Sequence, residues 1–214
     1  MPREQTPFEI QVRNTLSVNK TYLFIAICLV TLLLAFIEKQ FVFDEIAAIQ
    51  FMEGPQKLVF QIFKGLEIVA VPVSLALQYT VVGFILWVGC FLWGYRVDYY
   101  QCWKIAMIAS IIFFIPQVLT ILWFTFIDGD PSLWDVEAFY PLSLMNLFNH
   151  EFIAENYHFA YKSINVFQIS YWFILILGVD YAASKRKSIA QAIVFTSYVP
   201  IFLFYLWFIT MSSQ

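Results

Sequence analysis

The residues best placed to do chemistry lie in one polar segment, Asn149-His150-Glu151-Phe-Ile-Ala-Glu155-Asn-Tyr-His158. On a helix, Glu151, Glu155 and His158 fall four and three residues apart and share a face. Two carboxylates and an imidazole can ligate a divalent cation, and a metal there would make the chain a metal-assisted membrane enzyme. The segment is not a zincin motif, because Ala154 stands where HExxH needs its second histidine. No second ligand set of this kind occurs elsewhere in the chain. The plainer reading is a solvated, amphipathic loop with two ordinary histidines. There is also no Walker loop, no GxSxG and no Cys/His nucleophile pair. The sequence therefore implies no catalytic set and no cofactor.

A second group of polar residues stands out by its surroundings. Gln78, Gln117, Asn165, Gln168 and Gln191 are amides set within or at the edge of long apolar stretches. In hydrocarbon an amide joins helices through hydrogen bonds of about 1 kcal/mol. Alternatively, such amides line a polar path for an ion, a small solute or a lipid headgroup. Pro72, Pro116 and Pro200, also inside apolar stretches, would be the hinges of such a path.

The elements carrying these residues are five apolar stretches: Tyr22–Ile37, Ile68–Trp93, Ile105–Ile127, Ile164–Val179 and Ile189–Met211. None contains Asp, Glu, Lys or Arg. A helical crossing of the bilayer core takes roughly 20 mostly apolar residues. The composition agrees: 61% of residues are hydrophobic and only 13% charged, about half the charge of a soluble domain. With 24 Phe and 7 Trp, the chain can also furnish aromatic belts at the two interfaces. A net charge of −3 carries no nucleic-acid footprint. The expected fold is all-α, a polytopic membrane bundle of five transmembrane helices with short amphipathic interfacial helices. Residues 1–20 form a cytoplasmic segment and 21–214 the membrane domain.

Cationic residues orient such a chain. The tight connection Ser184-Lys185-Arg186-Lys187-Ser188 belongs on the cytoplasmic side, and with it Arg96, Lys104 and the N-terminal Arg3, Arg13 and Lys20. That places 8 of the 12 Lys and Arg residues inside and the C-terminus outside. Met1–Lys20 contains Glu4 and Glu9 and has no basic start running directly into an apolar core, so the first stretch reads as a retained anchor. Cys28, Cys90 and Cys102 read as small apolar core residues. Asp180 is expected to pair with Lys185 or Arg186, and Asp98 with Arg96. In Glu38–Glu67 two short amphipathic helices are expected, broken at Gly54-Pro55. Pro141–Phe148 is expected as a further interfacial helix.

Three stretches carry a family likeness: Tyr99-Tyr-Gln-Cys-Trp-Lys-Ile-Ala-Met-Ile-Ala leading to Pro116, Phe139-Tyr-Pro-Leu-Ser-Leu-Met-Asn-Leu-Phe, and Ile164-Asn-Val-Phe-Gln-Ile-Ser-Tyr-Trp through Gly178 to the basic turn. With five spans and a short tail after the last, the chain resembles the Yip family of Rab-interacting membrane proteins, in its bacterial form. The likeness covers Leu16 to the end. It implies a non-enzymatic protein of the cell membrane that assembles with membrane partners or with itself, or organises lipid. Eukaryotic members bind small GTPases through cytoplasmic segments. The segment before the first span, residues 1–20, is much shorter than their long cytoplasmic arm, and their Asp-Leu-Tyr-Gly-Pro segment has no counterpart at the corresponding place, so GTPase binding is not expected to carry over.

Overall fold

A computed structural model describes residues 19–43, 55–127, 135–136, 139–148, 153–183 and 187–212. Helix α1 (Lys20–Glu38) starts at Asn19, whose Oδ1 accepts from the Thr21 N–H at 3.0 Å. It runs on into a π turn, Lys39–Phe43. Helix α2 spans Pro55–Leu92. Helix α3 (Tyr99–Ser110) passes through a 3₁₀ turn (Ile111–Phe113) into α4 (Phe114–Phe126). Helix α5 (Glu155–Ser163) is short and precedes α6 (Val166–Ala183) and α7 (Lys187–Ser212). Among the described residues the β-type pairing is a single isolated bridge between Ser143 and Asn165.

The fold is all-α. Among the described residues, five helical segments are long and apolar enough to cross a membrane: Lys20–Val42, Val69–Leu92, Tyr99–Phe126, Val166–Ala183 and Ser188–Ser212. The chain is an integral, multi-pass membrane protein. Helices α2, α3, α6 and α7 pack in a ring, each against two neighbours, while α1 lies outside against α2, α3 and α4.

Glycines set the approach at three of the four contacts in the ring. A Cβ at Gly83 would stand 3.1 Å from the Trp103 Cα (α2 against α3). One at Gly89 would stand 2.6 Å from the Ser197 Oγ (α2 against α7), and one at Gly178 would stand 2.5 Å from Ile105 Cγ2 (α6 against α3). Lipid tails are as apolar as leucine, so membrane helices gain by close packing, and small residues permit it. Inside the ring sit Leu86, Cys90, Cys102, Ile105, Leu175 and Ile193, with Tyr79, Tyr171 and Tyr198. All three cysteines are free and buried.

Two local expectations take a different form. Pro55 does open a helix, but the segment after it does not stop before the membrane. Leu58–Phe63 and the second span form one unbroken helix through Pro72. Proline suits a first helical position, and the lone Gly65 costs too little to end the run. Pro141–Phe148 holds only a 3₁₀ turn, Leu144–Leu147. Leu142 there has φ 55°, in the left-handed region, which breaks any longer helix. The N-terminal segment, residues 44–54 and the basic turn 184–186, with the expected pairing of Asp180, lie outside the described residues.

Candidate functional site

Two buried hydrogen bonds join spans at adjoining places in the ring, each through a tyrosine hydroxyl. Between α2 and α3, Tyr79 Oη lies 2.9 Å from Ser110 Oγ. Ser110 spends its own proton on the Met107 carbonyl at 2.7 Å, so Tyr79 is the donor of the pair. Between α6 and α7, Gln168 Nε2 donates to Tyr198 Oη at 3.3 Å. The Tyr171 ring bridges the two places, with its centroid 5.1 Å from Phe113 and 5.7 Å from Tyr198. Tyr171 is 1% exposed and its hydroxyl has no hydrogen-bond partner among the described residues.

Asn165 anchors this arrangement at the start of α6. Its Oδ1 accepts from the Gln168 N–H at 2.7 Å, an N-cap bond to the third helical residue. Its Nδ2 donates to the Lys162 and Ser163 carbonyls at 2.9 and 3.2 Å. The same junction is sewn to the preceding loop by Leu144 N–H to Ile164 O (3.0 Å) and Val166 N–H to Leu142 O (3.2 Å). The strained Leu142 backbone costs about 1–3 kcal/mol and is held by these bonds. Tyr140, in that loop, accepts at its carbonyl from Asn146 Nδ2 at 2.9 Å. Burial pushes its phenol up to about 12, so it stays neutral across the physiological range.

The five amides are thus divided. Asn165 and Gln168 are buried together and joined to Tyr198. Gln117, on α4, is half-buried, and its Oε1 is buried without a hydrogen-bond partner among the described residues. Gln78 on α2 and Gln191 on α7 lie on the exposed outer surface. Of the three candidate metal ligands, Glu151 lies outside the described residues and Glu155 opens α5. His158 Nε2 lies 2.9 Å from the Ile153 carbonyl, which can only accept, so that nitrogen carries a proton. Among the described residues no three His, Cys, Asp or Glu side chains converge as a ligand set.

Sequence reasoning missed Tyr79, Ser110, Tyr171 and Tyr198. Tyrosine is expected at the interfaces of a span. Tyr79 and Tyr198 instead stand near the middle of theirs, and that position was the available signal.

Comparison of the chain with protein-family models, with curated proteins and with solved structures finds no match in any of the three.

Proposed function

We propose that this integral membrane protein is non-enzymatic and works by assembling in the bilayer with other membrane proteins or with further copies of itself. The observation that carries the reading is Gln78. It stands in the middle of the second span on the outer, exposed face of the ring. No other described residue hydrogen-bonds its side-chain amide. Ser74, one turn away on the same face, is exposed too, and its hydroxyl is turned back to the Val71 carbonyl at 2.9 Å. An amide at mid-depth in hydrocarbon is costly when unpaired and is satisfied by a polar group on a neighbouring helix. A polar path through one chain would instead place the amides on a shared interior lining. Gln78 and Gln191 lie outside the ring and Gln168 inside it.

The reading extends to membership of the Yip family, on the motifs given above, and to a cell membrane with the N-terminus cytoplasmic and the C-terminus external. Cysteine-accessibility labelling at the two termini tests the orientation. For the assembly itself, crosslinking in native membranes followed by mass analysis of the mild-detergent extract is expected to capture a defined membrane partner or a second copy. Gln78→Leu should weaken that capture. A strictly monomeric protein, or capture indifferent to Gln78→Leu, removes the support.

A further inference from the structure

Two cations from different spans meet at one aromatic ring. Lys20, the first residue of α1, places its Nζ 4.4 Å from the centroid of Tyr100. Lys104, one turn further along α3 than Tyr100, places its Nζ 5.9 Å from the same centroid. Both lie within the reach of about 6 Å over which the negative face of a ring attracts a cation. Lys104 is a buried residue and Tyr100 an exposed one, so the lysine stem runs along the protein while its ammonium reaches outward. Two like charges drawn to one ring repel each other, and an anion between them offsets that repulsion.

The ring also keeps a donor in reserve. The neighbouring Tyr99 donates its hydroxyl proton to the Thr80 carbonyl at 3.2 Å, whereas the Tyr100 hydroxyl bonds no described residue. Arg96, exposed in the connection that leads into α3, adds a third cation and likewise has no hydrogen-bond partner among the described residues. Neither α1 nor α3 carries an acid in its first turn. Asp98 precedes α3 but pairs with neither lysine. Lys20 opens the first span and Tyr100 is the second residue of the third, so the group stands at the membrane edge, at the level of lipid headgroups. Further into the membrane, α1 shows Tyr22, Ile25 and Leu29 to the outside, an apolar face suited to acyl chains.

We propose that Lys20, Tyr100 and Lys104 bind the phosphate of an anionic phospholipid at the membrane edge between α1 and α3. Basic groups set between membrane helices at this depth hold anionic headgroups. The two ammoniums and the Tyr100 hydroxyl donate to the phosphate oxygens, in hydrogen bonds strengthened by charge. A zwitterionic lipid brings its own ammonium, which cancels the phosphate charge and competes with the lysines. The site therefore selects lipids of net negative charge. It belongs to a single chain and stands independently of the assembly reading.

The test is native mass spectrometry of the detergent-purified protein after equilibration with mixed micelles holding equal amounts of phosphatidylglycerol and phosphatidylcholine. The wild type should retain phosphatidylglycerol in preference. Lys20→Gln and Lys104→Gln should each cut that preference about fivefold, the weakening expected for one lysine lost at an anionic surface. Lys20 is exposed, so Lys20→Gln keeps the fold even where Lys104→Gln does not. Lys39→Gln removes a cation just past the far end of α1 and should leave the preference unchanged. Equal retention of the two lipids by the wild type, or an equal fall in Lys39→Gln and Lys20→Gln, overturns the site. Inorganic phosphate, at the ionic strength of a chloride control, should leave the lipid bound, because it has no tails to lie along α1. Displacement of the lipid by inorganic phosphate would assign the site to a free anion and overturn the phospholipid.

Discussion

The first and third spans are almost equally apolar, yet the protein treats them in opposite ways. Of the most apolar window in the third span, 44% is buried inside the protein, against 11% in the first. The first half of the third span is closed in, with each residue from Lys104 to Ser110 buried, while the second half leaves Ile115, Leu122 and Phe126 exposed. The first span shows Tyr22, Ile25, Leu29, Leu33 and Phe36 to the outside. What separates them is side-chain size and polarity. The third span brings the small residues Cys102, Ala106, Ala109 and Ser110 into the ring, and Gly83 of α2 and Gly178 of α6 lie close against its Trp103 and Ile105. The first brings branched and aromatic side chains, which suit a lipid-facing surface. Apolarity puts a helix in the membrane, whereas smallness puts it in the middle of the bundle.

That contrast can be broken by substitutions whose effects should scale with position in the ring. The largest effect is expected at Leu175, fully buried opposite the third span. Leu175→Ala should cost about 2–5 kcal/mol, read by thermal or denaturant unfolding in detergent. Leu33→Ala on the exposed face of α1 should stay within about 0.5 kcal/mol of wild type. Equal losses at the two leucines would mean that the first span is buried after all.

Next comes a pair of glycines. Gly178→Ala drives a methyl into the branched side chain of Ile105 and should cost about 1–3 kcal/mol. Gly65→Ala meets nothing within 4 Å and should stabilise α2 by up to about 1 kcal/mol through helix propensity alone. Opposite signs from one chemical change would separate close approach from backbone preference. Matching signs would deny that Gly178 sets the α3–α6 distance.

A smaller loss is expected at Asn165→Ala, which removes the cap of α6, about 0.5–2 kcal/mol. Because the same side chain ties α6 to the Lys162 and Ser163 carbonyls, amide exchange should quicken first around residues 163–168. Uniform quickening over the whole of α6 would place the role of Asn165 in the ring, not at its edge.

Much of the architecture was legible before any coordinates. Long runs without a charge can be solvated only by lipid, and in lipid a helix is the one isolated segment that pairs its own backbone. The five spans and the all-α class follow from that. Their ends were less legible. Nothing between Leu58 and Ile68 marks whether an interfacial helix fuses with the span beyond it, and in α2 it does. The amides were visible as polar residues in apolar surroundings, but not their division, because Gln78 and Gln168 differ only in which way they face.

The sequence by itself determined that the polypeptide belongs in a bilayer and crosses it as helices, since both depend on local composition and backbone hydrogen bonding. Only the tertiary structure decided which apolar helix became the centre, which glycines lie against a neighbour and which tyrosines meet Ser110 and Gln168 inside the ring. Those outcomes depend on contacts between residues far apart along the chain. In a solvent as apolar as the core itself, hydropathy cannot distinguish a face turned toward lipid from one turned toward protein.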